Sequence, residues 1–143
     1  SLLYSIVMDV YPSMNYVGTT LNQQIYQAQY DAVRKLGDGE PCVIVGRGAD
    51  YILRDHPHLT TVFVHASMEF RIARVTEFEH ISESKARDMI LKADKKRASF
   101  YNFQTEKKWG VASSYNLSVD TSDLGIDNAI ELIKTYARMK HDL

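Results

Sequence analysis

Three short apolar runs constrain this chain most: Cys42-Val43-Ile44-Val45, Thr61-Val62-Phe63-Val64 and Asn116-Leu117-Ser118-Val119-Asp120. The first two do not alternate, and Gly46 closes the first, as expected for strands buried on both faces of a parallel sheet. The third alternates and is expected nearer the sheet edge. Between them the apolar spacing changes to three and four. Leu21, Ile25, Ala28, Ala32, Val33 and Leu36 predict a helix of about four turns that stops at Gly37-Asp38-Gly39. A second helix is predicted from Met68 to Phe78 with Ser67 as its N-cap, and a long polar one from Ser82 to past Tyr101. A last amphipathic helix near Asp127 carries Ala129, Ile130, Ile133, Tyr136 and Ala137 on one face. Strands alternating with helices predict an α/β fold, a three-layer α/β/α sandwich around a parallel sheet. Residues 1–20 show no clean period and read as loop plus a short helix.

At 143 residues, 45% hydrophobic and 24% charged, the chain suits one domain over residues 1–143 and excludes disordered or collagen-like structure. Seventeen basic against eighteen acidic residues leave a net charge of -1, so polymeric nucleic acid bound through bulk charge is not expected and any phosphate recognition must be local. The single Cys42 cannot form an internal disulfide, which fits a reducing, cytoplasmic setting, and its apolar run disfavours a thiolate. No stretch reaches the roughly 18 to 20 apolar residues of a membrane span. The chain begins Ser1-Leu2-Leu3-Tyr4 without an initiator methionine, so it is expected to be a piece of something longer. The aromatic-rich start could cover a partner surface, which leaves a homo-oligomer open.

Ligands of an open parallel sheet bind beyond the carboxyl ends of its strands. After the first run stands Gly46-Arg47-Gly48-Ala49-Asp50. The glycines free the backbone to turn, Arg47 offers a planar charged fork for phosphate, and Asp50 accepts from a hydroxyl or an amine. The alternative is that Arg47 and Asp50 pair with each other or cap the next helix. A second cluster is Lys92, Asp94, Lys95, Lys96 and Arg97, followed by Phe100, Tyr101, Phe103 and Trp109 and by Lys107 and Lys108. On a helix Ala93, Arg97 and Tyr101 align, as do Asp94 and Arg97, so this segment could close over polyphosphate or be simply a solvated face. Arg71 and Arg74, three apart, could each contact phosphate, with a plain surface role expected for at least one. His65 reads as a satisfied core histidine. Metal binding by Asp55-His56-Pro57-His58 is not expected, because the proline breaks helical spacing. Gly-x-Ser-x-Gly is absent, and hydrolase chemistry is not expected.

Taken in order, Pro41 to Leu53, Val62 to Ala66 with Glu69-Phe70-Arg71-Ile72, Asp94-Lys95-Lys96-Arg97-Ala98 with Tyr101 and Trp109-Gly110, and Tyr115 to Ile126 resemble the cytidylate kinase-like family of P-loop nucleoside monophosphate kinases. The resemblance implies a P-loop kinase-like sandwich with a helical lid at about 80–112. It implies that Gly46, Arg47 and Asp50 bind the acceptor nucleotide, that Arg97 with Asp94 and helped by Lys96 or Arg74 acts on the transferring phosphoryl, and that Asp120 and Thr121 lie near the ATP base. It further implies ATP and Mg2+ as cofactors, a small-molecule nucleotide as partner, and transfer from ATP to CMP or dCMP. The family's Gly-x-x-x-x-Gly-Lys-Ser/Thr loop does not occur in this sequence. The domain is therefore expected to be N-terminally incomplete and inactive as this stretch alone, or else to be a non-catalytic nucleotide-binding module.

Overall fold

The computed structural model describes residues 19–141. The expected loop and short helix at the start lie outside the described residues, except that helix α1, Thr19–Gly37, begins within them. The chain divides into two compact units, one ending at Cys42 and the other beginning at Val43. In the first unit α1 carries Arg34 and Lys35 in its last turn, where cations complement the helix dipole. Val33 is buried, whereas Ala28, Ala32 and Leu36 of the expected apolar stripe are exposed.

The second unit follows the element order α2 (Ala49–Ile52), β1 (Val62–His65), α3 (Met68–Glu79), α4 (Glu83–Thr105), a short 3-10 turn (Ala112–Ser114), β2 (Leu117–Asp120), α5 (Thr121–Leu124) and α6 (Ile126–His141). Strands β1 and β2 run parallel, with Val62 opposite Leu117 and His65 opposite Asp120. A parallel pair needs a long crossover, and α3 and α4 supply it. Both helices begin where a serine hydroxyl accepts an orphan amide: Ser67 from Phe70 at 3.2 Å and Ser82 from Lys85 at 3.4 Å. Both end on a left-handed residue, His80 and Glu106. Ile72, Ala86 and Ile90 form the α3–α4 core, with Met68, Val75 and Ile81 packed around it.

The α/β class and the parallel pairing agree with expectation, but the sheet among the described residues has two strands. Cys42–Val45 is not one of them. Val43 is 92% and Val45 79% exposed, and Cys42 is a free, exposed thiol rather than a buried one. An apolar run can become a strand only beside a partner for its N–H and C=O groups. This run is preceded by Pro41, which has no N–H, and followed by a left-handed turn. For the same reason β1 is not covered on both faces: Val64 is half exposed and the His65 side chain is 43% exposed, not a core histidine. Val119 of β2, in contrast, is buried, as its alternation predicts.

Candidate functional site

Gly46, Arg47 and Gly48 all have positive φ, at 72°, 63° and 63°. The Ala49 amide donates to the Gly46 carbonyl at 3.1 Å and closes a turn with two left-handed central residues. Glycine adopts this geometry freely. Arg47 does so at a cost of about 1 kcal/mol or more, the kind of strain that collects at functional turns. The turn delivers Asp50 into the first turn of α2, and there the Tyr101 hydroxyl donates to its Oδ2 at 2.6 Å. Asp50 is thus tied to α4 rather than paired with Arg47. Burial, and then the bond to the Asp50 carboxylate, push the Tyr101 phenol far above its ordinary range, so it stays a donor. Tyr101 and Trp109 pack as aromatics expected beside the basic segment. Tyr101 stacks on Tyr115 at 6.4 Å, Tyr115 on Phe63 at 5.0 Å, and Trp109 meets Phe63 edge-on at 5.4 Å. Phe103 stays exposed.

Further toward the start of α4, Asp94 accepts two bonds from Arg71 of α3, Nη1 to Oδ2 at 2.7 Å and Nη2 to Oδ1 at 2.8 Å. Arg97 Nη1 reaches the same carboxylate at 3.3 Å. Asp94, Arg97 and Tyr101 are spaced three and four apart, so they share one stripe of α4, about 10 Å long at 1.5 Å per residue. That stripe connects the Gly46–Gly48 turn, through Asp50, to the two arginines. Lys96 and Arg74 are exposed, with no hydrogen bond or ion pair recorded for either. Arg71, left as one of two undecided arginines by the sequence, is the partner of Asp94; its i,i+3 spacing to Arg74 carried no information about which of them would pair.

A third group gathers at the carboxyl ends of the strands. Asp120 accepts from the Ser122 amide at 2.8 Å, Thr121 Oγ1 donates to the His65 carbonyl at 3.1 Å, and the Ser67 amide donates to Ser122 Oγ at 2.6 Å. The Ser122 bonds, and more weakly the nearby His65, hold the Asp120 carboxyl below its usual range. His65 Nδ1 lies 3.8 Å from Asp120 Oδ2. Chemically, the site offers cations on α3 and α4 for phosphate oxygens, a strained arginine turn, and a capped carboxylate at the sheet edge. Among the described residues no group of three His, Cys, Asp or Glu able to hold a metal ion occurs, and the sequence has no glycine loop followed by Lys-Ser or Lys-Thr to cradle phosphate. Among the described residues no helix is long and apolar enough to cross a membrane.

The model of the cytidylate kinase-like family matches residues 1–123. The crystal structure of an uncharacterized protein from Eubacterium ventriosum is similar at 32% identity and a TM-score of 0.79, over 85% of this chain and 69% of that one. No curated protein matches.

Proposed function

This chain belongs to the cytidylate kinase-like family, and from that premise we propose that it serves a cytoplasmic nucleoside monophosphate kinase-like phosphotransferase, with a P-loop kinase-like sandwich fold, that passes a phosphoryl group from ATP to CMP or dCMP. The observation that supports this reading best is the α4 stripe, which puts Asp94, Arg97 and Tyr101 on one helix face and ties Tyr101 to Asp50.

Phosphoryl transfer asks little covalent work of a protein and much positioning and charge neutralisation. Arg71 satisfies Asp94 with two short bonds, while Arg97 contacts the same carboxylate through one longer bond. A doubly charged phosphate therefore draws Arg97 from Asp94 more readily than Arg71, and Asp94 remains compensated when it does. Arg97 then meets the charge spreading over the phosphoryl oxygens, with exposed Lys96 and Arg74 adding positive potential from the solvent side. Gly46, Arg47 and Asp50 hold the acceptor, and the Tyr101 hydroxyl fixes the Asp50 carboxylate for it. Asp120 and Thr121 form the strand end that faces the donor nucleotide. When bound, ATP would supply the phosphoryl group and Mg2+ would neutralise part of its charge; the described residues of this chain contribute no step through either.

The test is transfer from ATP to CMP, dCMP, UMP and AMP by the intact gene product, followed by ADP release, together with calorimetric binding of the same monophosphates. Turnover with a cytidine nucleotide preferred supports the proposal. Binding of a monophosphate without turnover favours the second reading, a nucleotide-binding module without phosphotransfer. Neither binding nor turnover overturns both.

A further inference from the structure

The amino ends of β1 and β2 carry a cleft of about 300 Å3 whose three cations the phosphotransfer reading does not use. Thr61 and Asn116, the residues just before the two strands, lie in its wall together with Arg54, Lys107 and Lys140. From Thr61 to His65 is four residues, about 13 Å of strand, so the cleft is remote from the Asp120 edge. Its volume is at the lower end of small-molecule sites.

Two of its three cations are held in place by the protein. Arg54 stacks over the Tyr51 ring at 4.4 Å and its Nη1 donates to the Tyr51 carbonyl at 2.8 Å. Its further contact, to the highly exposed Asp55 at 3.8 Å, is of the solvated kind that contributes little. Lys140 Nζ donates to the Leu59 carbonyl and, at 3.0 Å, to Asn116 Oδ1. Asn116 Oδ1 also accepts from the Thr61 amide at 2.9 Å and the Thr61 hydroxyl at 3.2 Å, so the carbonyl side of this amide is saturated while its NH2 donors have no recorded partner. The third cation, Lys107, has no recorded hydrogen bond or ion pair for its ammonium group. The one acidic residue in the wall, Asp50, is engaged by the Tyr101 hydroxyl. Three positive side chains against one committed carboxylate, with amide donors between them, suit an anion that has more than one charge and several acceptor oxygens. Prior fixing of Arg54 and Lys140 removes part of the ordering cost that binding otherwise carries.

We propose that this cleft is a second anion site that takes a small phosphate-bearing molecule on Arg54, Lys107 and Lys140, cations that phosphoryl transfer at Arg97 does not use, with Asp50 the one wall residue that the two sites share. The probes are inorganic phosphate and pyrophosphate, titrated into the 15N-labelled 143-residue chain while the amides of Lys107, Asn116 and Lys140 are followed. The expected result is saturable shifts at these amides, tighter for pyrophosphate. Lys107→Glu is expected to weaken them by at least about tenfold, the loss of one charge-assisted bond, and Arg97→Ala to leave them within a factor of two. Lys107 has no recorded side-chain contact to lose, and Lys107→Gln serves as the milder variant if the charge reversal does not fold. The proposal is overturned if the three amides do not saturate, if both Lys107 variants bind as the parent does, or if Arg97→Ala abolishes the shifts, which would move the anion to the lid helix.

Discussion

Arg71 and Asp94 are joined by two parallel hydrogen bonds, at 2.7 and 2.8 Å, across 23 positions of sequence and between two helices. Both side chains are more than two thirds covered, at 28% and 23% exposure. Such a fork-to-carboxylate pair is stronger and more directional than a surface contact, and breaking it from one side leaves a half-buried charge. Arg71→Ala is expected to destabilise the second unit by about 1–2 kcal/mol, below the figure for a fully buried pair because part of the site is wet. Arg71→Lys should recover only part of this, since an ammonium cannot make both bonds. Chemical denaturation of the two variants measures it, and equal stability of Arg71→Ala and the parent would remove the pair from the account of how α3 holds α4.

Arg97 Nη1 reaches the same carboxylate at 3.3 Å, longer than either Arg71 bond, and the proposed phosphotransfer assigns Arg97 to the phosphoryl oxygens. In the intact gene product Arg97→Ala is expected to lower kcat by about 10^3-fold, the effect of losing a transition-state arginine, with a much smaller change in melting temperature than Arg71→Ala. Steady-state kinetics alongside thermal melts separates the two roles. If the two variants lose stability alike and kcat is unchanged in Arg97→Ala, then Arg97 is a structural partner of Asp94 and nothing more.

What could be read from the sequence divides along the range of each interaction. Ser67 as a cap, the approximate limits of α3 and α4, and the Asp94–Arg97 spacing were legible because each depends on residues within a turn or two. Arg71 with Asp94, and Asp50 with Tyr101, were not, because their partners are 23 and 51 positions away and meet only after the helices have packed. The Cys42–Val45 run shows the converse limit. Its residues suit a strand, but strand formation is decided by a neighbour, and the exposed Val43 and Val45 have none in the described sheet. The cleft at the amino ends was equally hidden, since Arg54, Lys107 and Lys140 come from three distant segments with no shared motif.

Tyr101 couples the turn before α2 to α4 through Asp50 and remains protonated because the folded state favours its neutral form. The sign follows from that: a group whose folded value is raised contributes stability that is complete below the ordinary tyrosine range and is lost as pH climbs above about 10 toward the folded value. Tyr101→Phe is expected to cost about 1.5–3 kcal/mol at neutral pH, the range for a hydrogen bond to a charged group, and to flatten the loss of stability on the alkaline side. Denaturation midpoints taken from pH 7 to pH 11 test it. An alkaline slope that is the same in both proteins contradicts the assignment.

Asp120 behaves in the opposite sense. The Ser122 bonds lower its folded value beneath the ordinary 3.8, so its contribution is present above that pH and fades as pH falls through the folded value. Asp120→Asn keeps an oxygen that can accept from the Ser122 amide but cannot change its charge. The variant is expected to lose less stability than the parent between pH 5 and pH 2, and a parallel acid profile would show that the cap is not formed in solution.

Gly110 lies against the aromatic cluster in a backbone conformation that other residues resist. Its φ is 79°, and a Cβ built there would stand 3.3 Å from Phe63 Cζ. Gly110→Ala therefore combines left-handed strain with a contact that Phe63, held between Trp109 and Tyr115, can relieve only by shifting. The expected cost is about 1–3 kcal/mol. The double variant Gly110→Ala with Phe63→Leu tells the two causes apart, because a smaller side chain at 63 relieves the contact and not the backbone. If the cost of Gly110→Ala falls by half or more in the Phe63→Leu background, the close approach dominates; if it is unchanged, the positive φ alone accounts for the glycine at this position.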